Sequence, residues 1–198
     1  MSLRTIRELG DPVLEKKAKA VKEMTPKIRQ LIEDMKETMY DADGVGLAAP
    51  QVGMLKRIVV IDVSMEQDQP IVLINPEIVE QDGEQTGWEG CLSVPGKSGQ
   101  VTRPQRVVAK ALNEDMEEFT VEGTDLLARA ICHELDHLDG HVYVELVEGR
   151  LYTNEELDEM AAREEEEAAK AAEAGEETTE ANAAETAAAA ENTAAAAE

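Results

Sequence analysis

The stretch Thr124-Asp125-Leu126-Leu127-Ala128-Arg129-Ala130-Ile131-Cys132-His133-Glu134-Leu135-Asp136-His137-Leu138-Asp139-Gly140 organises the reading of this chain. Leu126, Leu127, Ala130 and Ile131 fall at helical spacing, Thr124 suits the start of a helix and Gly140 its end. Two of the three histidines stand in it, at His133 and His137, with Glu134 between them. Helical positions four apart lie about 40° from each other around the axis and one turn apart along it. Both imidazoles therefore reach one metal ion, and Glu134 sits beside it to move protons. A five-residue pattern of this kind also arises by chance, so the rest of the chain decides its meaning.

Two histidines leave a metal ion under-coordinated, and a third side chain must come from elsewhere. His141 lies eight residues after His133, a rise of about 12 Å on a continued helix, too far for both rings to hold an ion at about 2.1 Å. Cys132 precedes His133 and points about 100° away from it, as a small apolar residue packing sideways would. Cys91 stands in Trp88-Glu89-Gly90-Cys91-Leu92-Ser93-Val94-Pro95, where glycine lets the backbone approach closely. A cysteine thiolate with two histidines makes a three-ligand site that keeps one position open for water. The plainer use of the two cysteines is as buried free thiols or one disulfide. The N-terminus lacks the apolar run of a secretion signal, and the cytosolic setting this implies argues against the disulfide. Glu155, Glu156 and Glu159 also stand at distances suited to a zinc peptidase, which takes its third ligand downstream. A structural metal module would instead fill all four positions with protein side chains.

Three segments together resemble bacterial-type peptide deformylases: Gly44-Val45-Gly46-Leu47-Ala48-Ala49-Pro50-Gln51, Glu89-Gly90-Cys91-Leu92-Ser93-Val94-Pro95, and His133-Glu134-Leu135-Asp136-His137-Leu138-Asp139-Gly140. Their order and separation match over about residues 3–150. The resemblance implies removal of the formyl group from formylmethionine at the N-termini of nascent peptides. It makes Cys91, His133 and His137 the metal ligands and Glu134 the general acid/base. The side-chain amide of Gln51 and the backbone N–H of Leu92 would face the developing oxyanion. It places Val45 and Leu126 along the pocket for the methionine side chain. The family's metal is typically Fe2+, with Zn2+ or Ni2+ often replacing it in purified protein. Gly44-Val45-Gly46 reads either as a tight turn or as a backbone strip that hydrogen-bonds an extended peptide. Without the other segments, Gln51 would read as a surface glutamine after a loop proline. Two positions depart from some relatives: Arg129, a helical turn before His133 where others carry an apolar residue, and Cys132, where others carry a polar one.

The 198 residues suffice for one domain with a sizeable core, taken here as 1–163, followed by an acidic Ala/Glu-rich tail at 164–198. The formal net charge is −24, and the tail's 11 glutamates and one lysine account for −10 of it. A surface this acidic repels phosphate backbones, which argues against direct nucleic-acid binding. No segment approaches the roughly 20 apolar residues needed to span a bilayer, so a soluble, cytoplasmic protein with no membrane partner is expected. Some relatives dock on the ribosome through a basic C-terminal helix. An acidic tail cannot make that contact, so any ribosome contact is expected to be transient or to use another surface. The tail has nothing with which to build a core, and disorder is expected past Gly175.

The remaining pattern predicts an α+β fold, with antiparallel sheets packed around the central metal-binding helix, an N-terminal helix and a C-terminal helix. Thr25-Pro26 opens a helix over 25–41 that buries Ile28, Leu31, Ile32, Met35 and Met39. Strands are expected at Arg57–Val63, Ile71–Ile74, Glu77–Glu80, Val107–Leu112 and Glu118–Glu122. The C-terminal helix is expected to begin near Thr153.

Overall fold

In this computed structural model, residues 2–166 and residue 168 are described; most of the acidic tail, and the disorder expected past Gly175, lie outside the described residues. Residues up to Tyr152 form one compact unit, and those from Thr153 onward belong to a second. The first unit contains helix α1 (Pro26–Asp41), strands β1 (Gly46–Ala48), β2 (Ile58–Ile61), β3 (Ile71–Asp82), β4 (Gln85–Cys91), β5 (Val94–Arg103), β6 (Arg106–Leu112) and β7 (Glu118–Thr124), and helix α2 (Asp125–Asp139). Strand β8 (Glu148–Thr153) follows, all but its last residue within this unit. Residues 154–166 are helical (α3).

A five-stranded sheet runs β1-β2-β3-β6-β7, and a three-stranded sheet runs β4-β5-β8. The pairings β1–β2, β2–β3, β3–β6, β4–β5 and β6–β7 are all antiparallel. Strand β2 is the unbroken apolar run Ile-Val-Val-Ile, fully buried because both faces of the sheet are covered. Val59 and Ile61, with Leu73, pack with Ile131, Leu135 and Leu138 of α2. Ile58 and Val60, with Val72 and Ile74, pack with Leu31, Ile32, Met35 and Met39 of α1. Strand alternation thus places the two helices on opposite faces of one sheet.

The α+β expectation holds. Thr25 caps α1 through Oγ1, which accepts the Ile28 N–H, with Pro26 at the first helical position. Helix α2 ends at Gly140 in the left-handed conformation, φ 87°. A Cβ there would lie 2.7 Å from the Glu15 carbonyl oxygen, so any other residue meets both strain and a clash.

The two strands expected at Ile71–Ile74 and Glu77–Glu80 are one strand, interrupted by register shifts rather than by a turn. Asn75 takes φ 52° there, and its side-chain amide bonds both the N–H and the carbonyl of Val21. That anchoring carries the strand through a bulge at Asn75-Pro76. Strands β1, β4, β5 and β8 carry no apolar alternation strong enough to be expected from sequence. Thr153 and Glu156 form a reciprocal cap at the start of α3.

Candidate metal and catalytic centre

Helix α2 presents His133 and His137 one turn apart, and both are buried. Strand β4 ends at Cys91, which enters a tight turn through Leu92 and Ser93 into β5. One ligand atom from each of Cys91, His133 and His137 lies within 4.8 Å of the other two. Cys91 Sγ is 3.2 Å from His137 Nε2. His133 Nδ1 is 3.0 Å from Glu89 Oε2. A carboxylate only accepts, so Nδ1 carries a proton and Nε2 is left as the nitrogen that would meet a metal ion. Tyr143 stacks on the His133 ring with centroids 5.8 Å apart.

Burial disfavours a charged imidazole at both positions. At His133 the Cys91 sulfur and the Glu89 carboxylate outweigh it and lift the pKa to about 10. At His137 burial, reinforced by the neighbouring His133, lowers it to about 3. The cluster therefore attracts positive charge yet keeps one imidazole free of its proton, and a dication would compete with a proton for this place.

Glu134 lies on the same helix with its carboxyl buried. Burial, with Glu89 and Asp136 adding to it, pushes its pKa up to about 7, in the range useful for taking and returning protons at neutral pH. Glu134 Oε2 and His137 Nδ1 are buried without a hydrogen-bond partner among the described residues. Buried polar atoms are rarely left so, and an ion with its water would engage the carboxylate.

Gln51 is buried rather than on the surface. Its Oε1 accepts the Ala48 N–H at 2.8 Å, and Nε2 donates to Ser93 Oγ at 3.2 Å and to Cys91 Sγ at 3.5 Å. The longer contact to sulfur is the weaker, so that N–H is the one best placed to turn to another acceptor. Gly44 and Val45 lead into edge strand β1, which Gly46 opens and which pairs with β2 alone among the described residues. Neither glycine serves a positive-φ turn; that conformation falls on Asp43, φ 53°. The glycines are needed for close approach instead. A Cβ at Gly46 would run into Glu134 Oε1, and one at Gly44 would lie 2.8 Å from Leu92 Cδ1. Val45 and Leu126 are exposed. Leu126 and His133 are seven positions apart, which places both on the same helical stripe.

Sequence reasoning gave no role to Glu89, Ser93, Arg103 or Arg129. Glu89 is buried and accepts from His133, Arg103 and Arg129. Ser93 is fully buried, accepts from Gln51 and donates its backbone N–H to Cys91 Sγ at 3.4 Å. Glu89 and Ser93 both lie inside the quoted Cys91 segment, and a charged residue two before a candidate metal ligand is the available signal. Cys132 packs in the core between α2 and the sheet, as its angle from His133 required.

Fold and cluster together define an α+β protein with a metal-capable Cys/His/His centre on a buried helix. Residues 3–150 match the family model described as polypeptide deformylase. A peptide deformylase from Agathobacter rectalis is 70% identical over 152 residues, covering 77% of this chain and 94% of the relative. The solved peptide deformylase from Legionella pneumophila superposes with a TM-score of 0.73 at 41% identity, covering 87% of this chain and 98% of that one. A peptide deformylase from Synechococcus elongatus, solved in complex with actinonin, gives 0.70 at 44% identity, covering 73% and 79%. The chain belongs to the polypeptide deformylase family.

Proposed function

We propose that this enzyme hydrolyses the N-terminal formyl group from formylmethionine of nascent peptides in the cytoplasm, at a centre held by Cys91, His133 and His137. The supporting observation is the grouping of those three ligand atoms within 4.8 Å beside a buried Glu134 that Gly46 leaves room for. One thiolate and two imidazoles suit a borderline-soft divalent ion and leave a position open. Fe2+, with Zn2+ or Ni2+ as substitutes, is the assignment the family favours. When bound, such an ion supplies Lewis acidity and lowers the pKa of water from about 15.7 toward about 7.

The chain's own groups do the rest. Glu134 takes the water's proton and returns it to the leaving amine. The Gln51 amide and the Leu92 N–H face the oxygen that gains charge, and one such donor is worth roughly 3–4 kcal/mol elsewhere. The open edge of β1, entered by Gly44-Val45-Gly46, receives the peptide backbone as an added strand. Val45 and Leu126 line the methionine side chain's path. The described helices include none long and apolar enough to cross a membrane, and the acidic charge disfavours nucleic acid. Any contact with the ribosome would be transient or use a surface other than the acidic tail.

The test is hydrolysis of a formyl-Met peptide by anaerobically prepared protein, with metal analysis alongside. Turnover should follow metal content, and iron-loaded enzyme should decay in air while zinc- or nickel-loaded enzyme persists. Full metal stoichiometry in Cys91→Ser would point instead to a peptidase with a downstream ligand.

A further inference from the structure

Two separate elements deliver the ligand set: α2 brings both histidines and β4 brings Cys91. One side chain joins these elements at several points. Arg129, one turn before His133, is buried. Its Nη1 donates to Glu89 Oε1 at 2.8 Å, to the Val101 carbonyl at 2.9 Å and, at the limit, to the Gly87 carbonyl at 3.4 Å. Its Nη2 donates to the Gln85 carbonyl at 3.1 Å. One helical guanidinium thus ties down both strands of the β4–β5 hairpin.

Glu89 shows why the second arginine matters. Arg103 reaches both Glu89 oxygens, through Nε at 2.9 Å and Nη2 at 3.0 Å, but also donates to Asp136 at 2.7 Å. Arg103 is therefore shared between two carboxylates, whereas Arg129 has Glu89 as its one carboxylate ion-pair partner among the described residues. With Arg129 in place, each Glu89 oxygen meets two donors, and Oε2 is left to face His133 Nδ1 in a single orientation. Gly87 leaves room for the arrangement, since a Cβ there would sit 3.1 Å from Arg129 Nη2.

Building on the metal-site reading above, we propose that Arg129 is a positioning residue for the metal ligands. It acts through Glu89 on the His133 ring, and through the β4 and β5 carbonyls on the distance between Cys91 and α2. Substituents that orient a ligating histidine typically change metal affinity about 10–100-fold when removed. An apolar residue at 129 fills the space but leaves three carbonyls and one carboxylate oxygen without this donor. Lysine brings the charge to one acceptor without the planar fork.

The experiment is chelator-competition titration with Zn2+ of the full chain and of Arg129→Leu, Arg129→Lys and Gly87→Ala, with thermal unfolding of metal-free protein alongside. Arg129→Leu should bind Zn2+ about tenfold or more weakly, with Arg129→Lys between it and the parent. Gly87→Ala keeps the arginine but displaces its guanidinium, so a smaller loss in the same direction is expected. The His133 Nδ1–H proton signal of loaded protein should exchange faster in the order parent, Lys, Leu. A purely architectural role would lower the unfolding midpoint of metal-free protein and leave the Zn2+ affinity of folded protein unchanged, which would overturn the proposal. If Arg129→Leu does not fold, unchanged affinity in both Arg129→Lys and Gly87→Ala overturns it equally. Retained Zn2+ affinity in Cys91→Ser would instead remove the metal-site reading, and this inference with it.

Discussion

Helix α2 and the β4–β5 hairpin each deliver part of one metal-capable centre, and they are built in opposite ways. The helix specifies itself locally: an apolar stripe, a left-handed glycine stop and two histidines one turn apart. The hairpin has Gln-Thr-Gly-Trp-Glu-Gly-Cys facing Val-Pro-Gly-Lys-Ser-Gly-Gln-Val-Thr-Arg, with little apolar alternation. Its order comes from buried charge: its own Arg103 and Glu89 pair with each other, and Arg129 of α2 binds Glu89 and the backbone of both strands. A helix can thus space its two histidines by periodicity, whereas this glycine-rich hairpin is fixed by buried charged side chains, one of which, Arg129, reaches its backbone from α2.

The comparison breaks most sharply at Glu134, the proposed proton-transfer residue. Glu134→Gln keeps the helix and both histidines, so metal content should stay near one per chain while deformylation falls about 10²–10⁴-fold. Near-normal turnover in that variant would deny Glu134 its role. Next comes the seam between glycine and helix: the Gly46→Ala methyl would strike Glu134 Oε1. Steady-state kinetics should show roughly a 10²-fold loss in kcat with folding retained, the scale of a misplaced catalytic group.

Glu89→Gln probes the hairpin side. It should weaken Zn2+ binding about 10–100-fold in a competition titration. It should also change the acid response. Burial alone would raise the Glu89 pKa, but hydrogen bonds from His133 and Arg103 hold it down to about 2, below the ordinary 4.5. A carboxyl lower in the folded state contributes its full stability above the unfolded value and loses it as pH falls through the folded one. Denaturant unfolding of the parent should therefore weaken as pH drops from 4.5 towards 2, and the variant should show a shallower decline. The smallest effect is expected far from the centre: Thr25→Ala removes the α1 cap and should cost about 1 kcal/mol with catalysis intact, read by urea unfolding and the peptide assay.

The sequence made the centre more legible than the sheets. Helices α1 and α2, with Thr25, Thr124 and Gly140 at their ends, follow from local signals that need no partner. Strands β2, β6 and β7 follow from β-branched and aromatic runs. Strands β4 and β5 did not, because pairing and buried arginines rather than pattern make them. Asn75-Pro76 reads as a break and is a bulge, since the Asn75 amide is satisfied by Val21, a partner 54 residues away. The candidate ligands were marked by type and spacing, while Glu89, Ser93 and Arg129 matter through contacts formed only on folding.

The most direct test is X-ray absorption at the metal edge of active, zinc-loaded protein. One sulfur at about 2.3 Å and two imidazole nitrogens at about 2.0–2.1 Å are expected, with the sulfur contribution gone in Cys91→Ser. A shell of nitrogen and oxygen alone, in protein that still removes formyl groups, would contradict this ligand set.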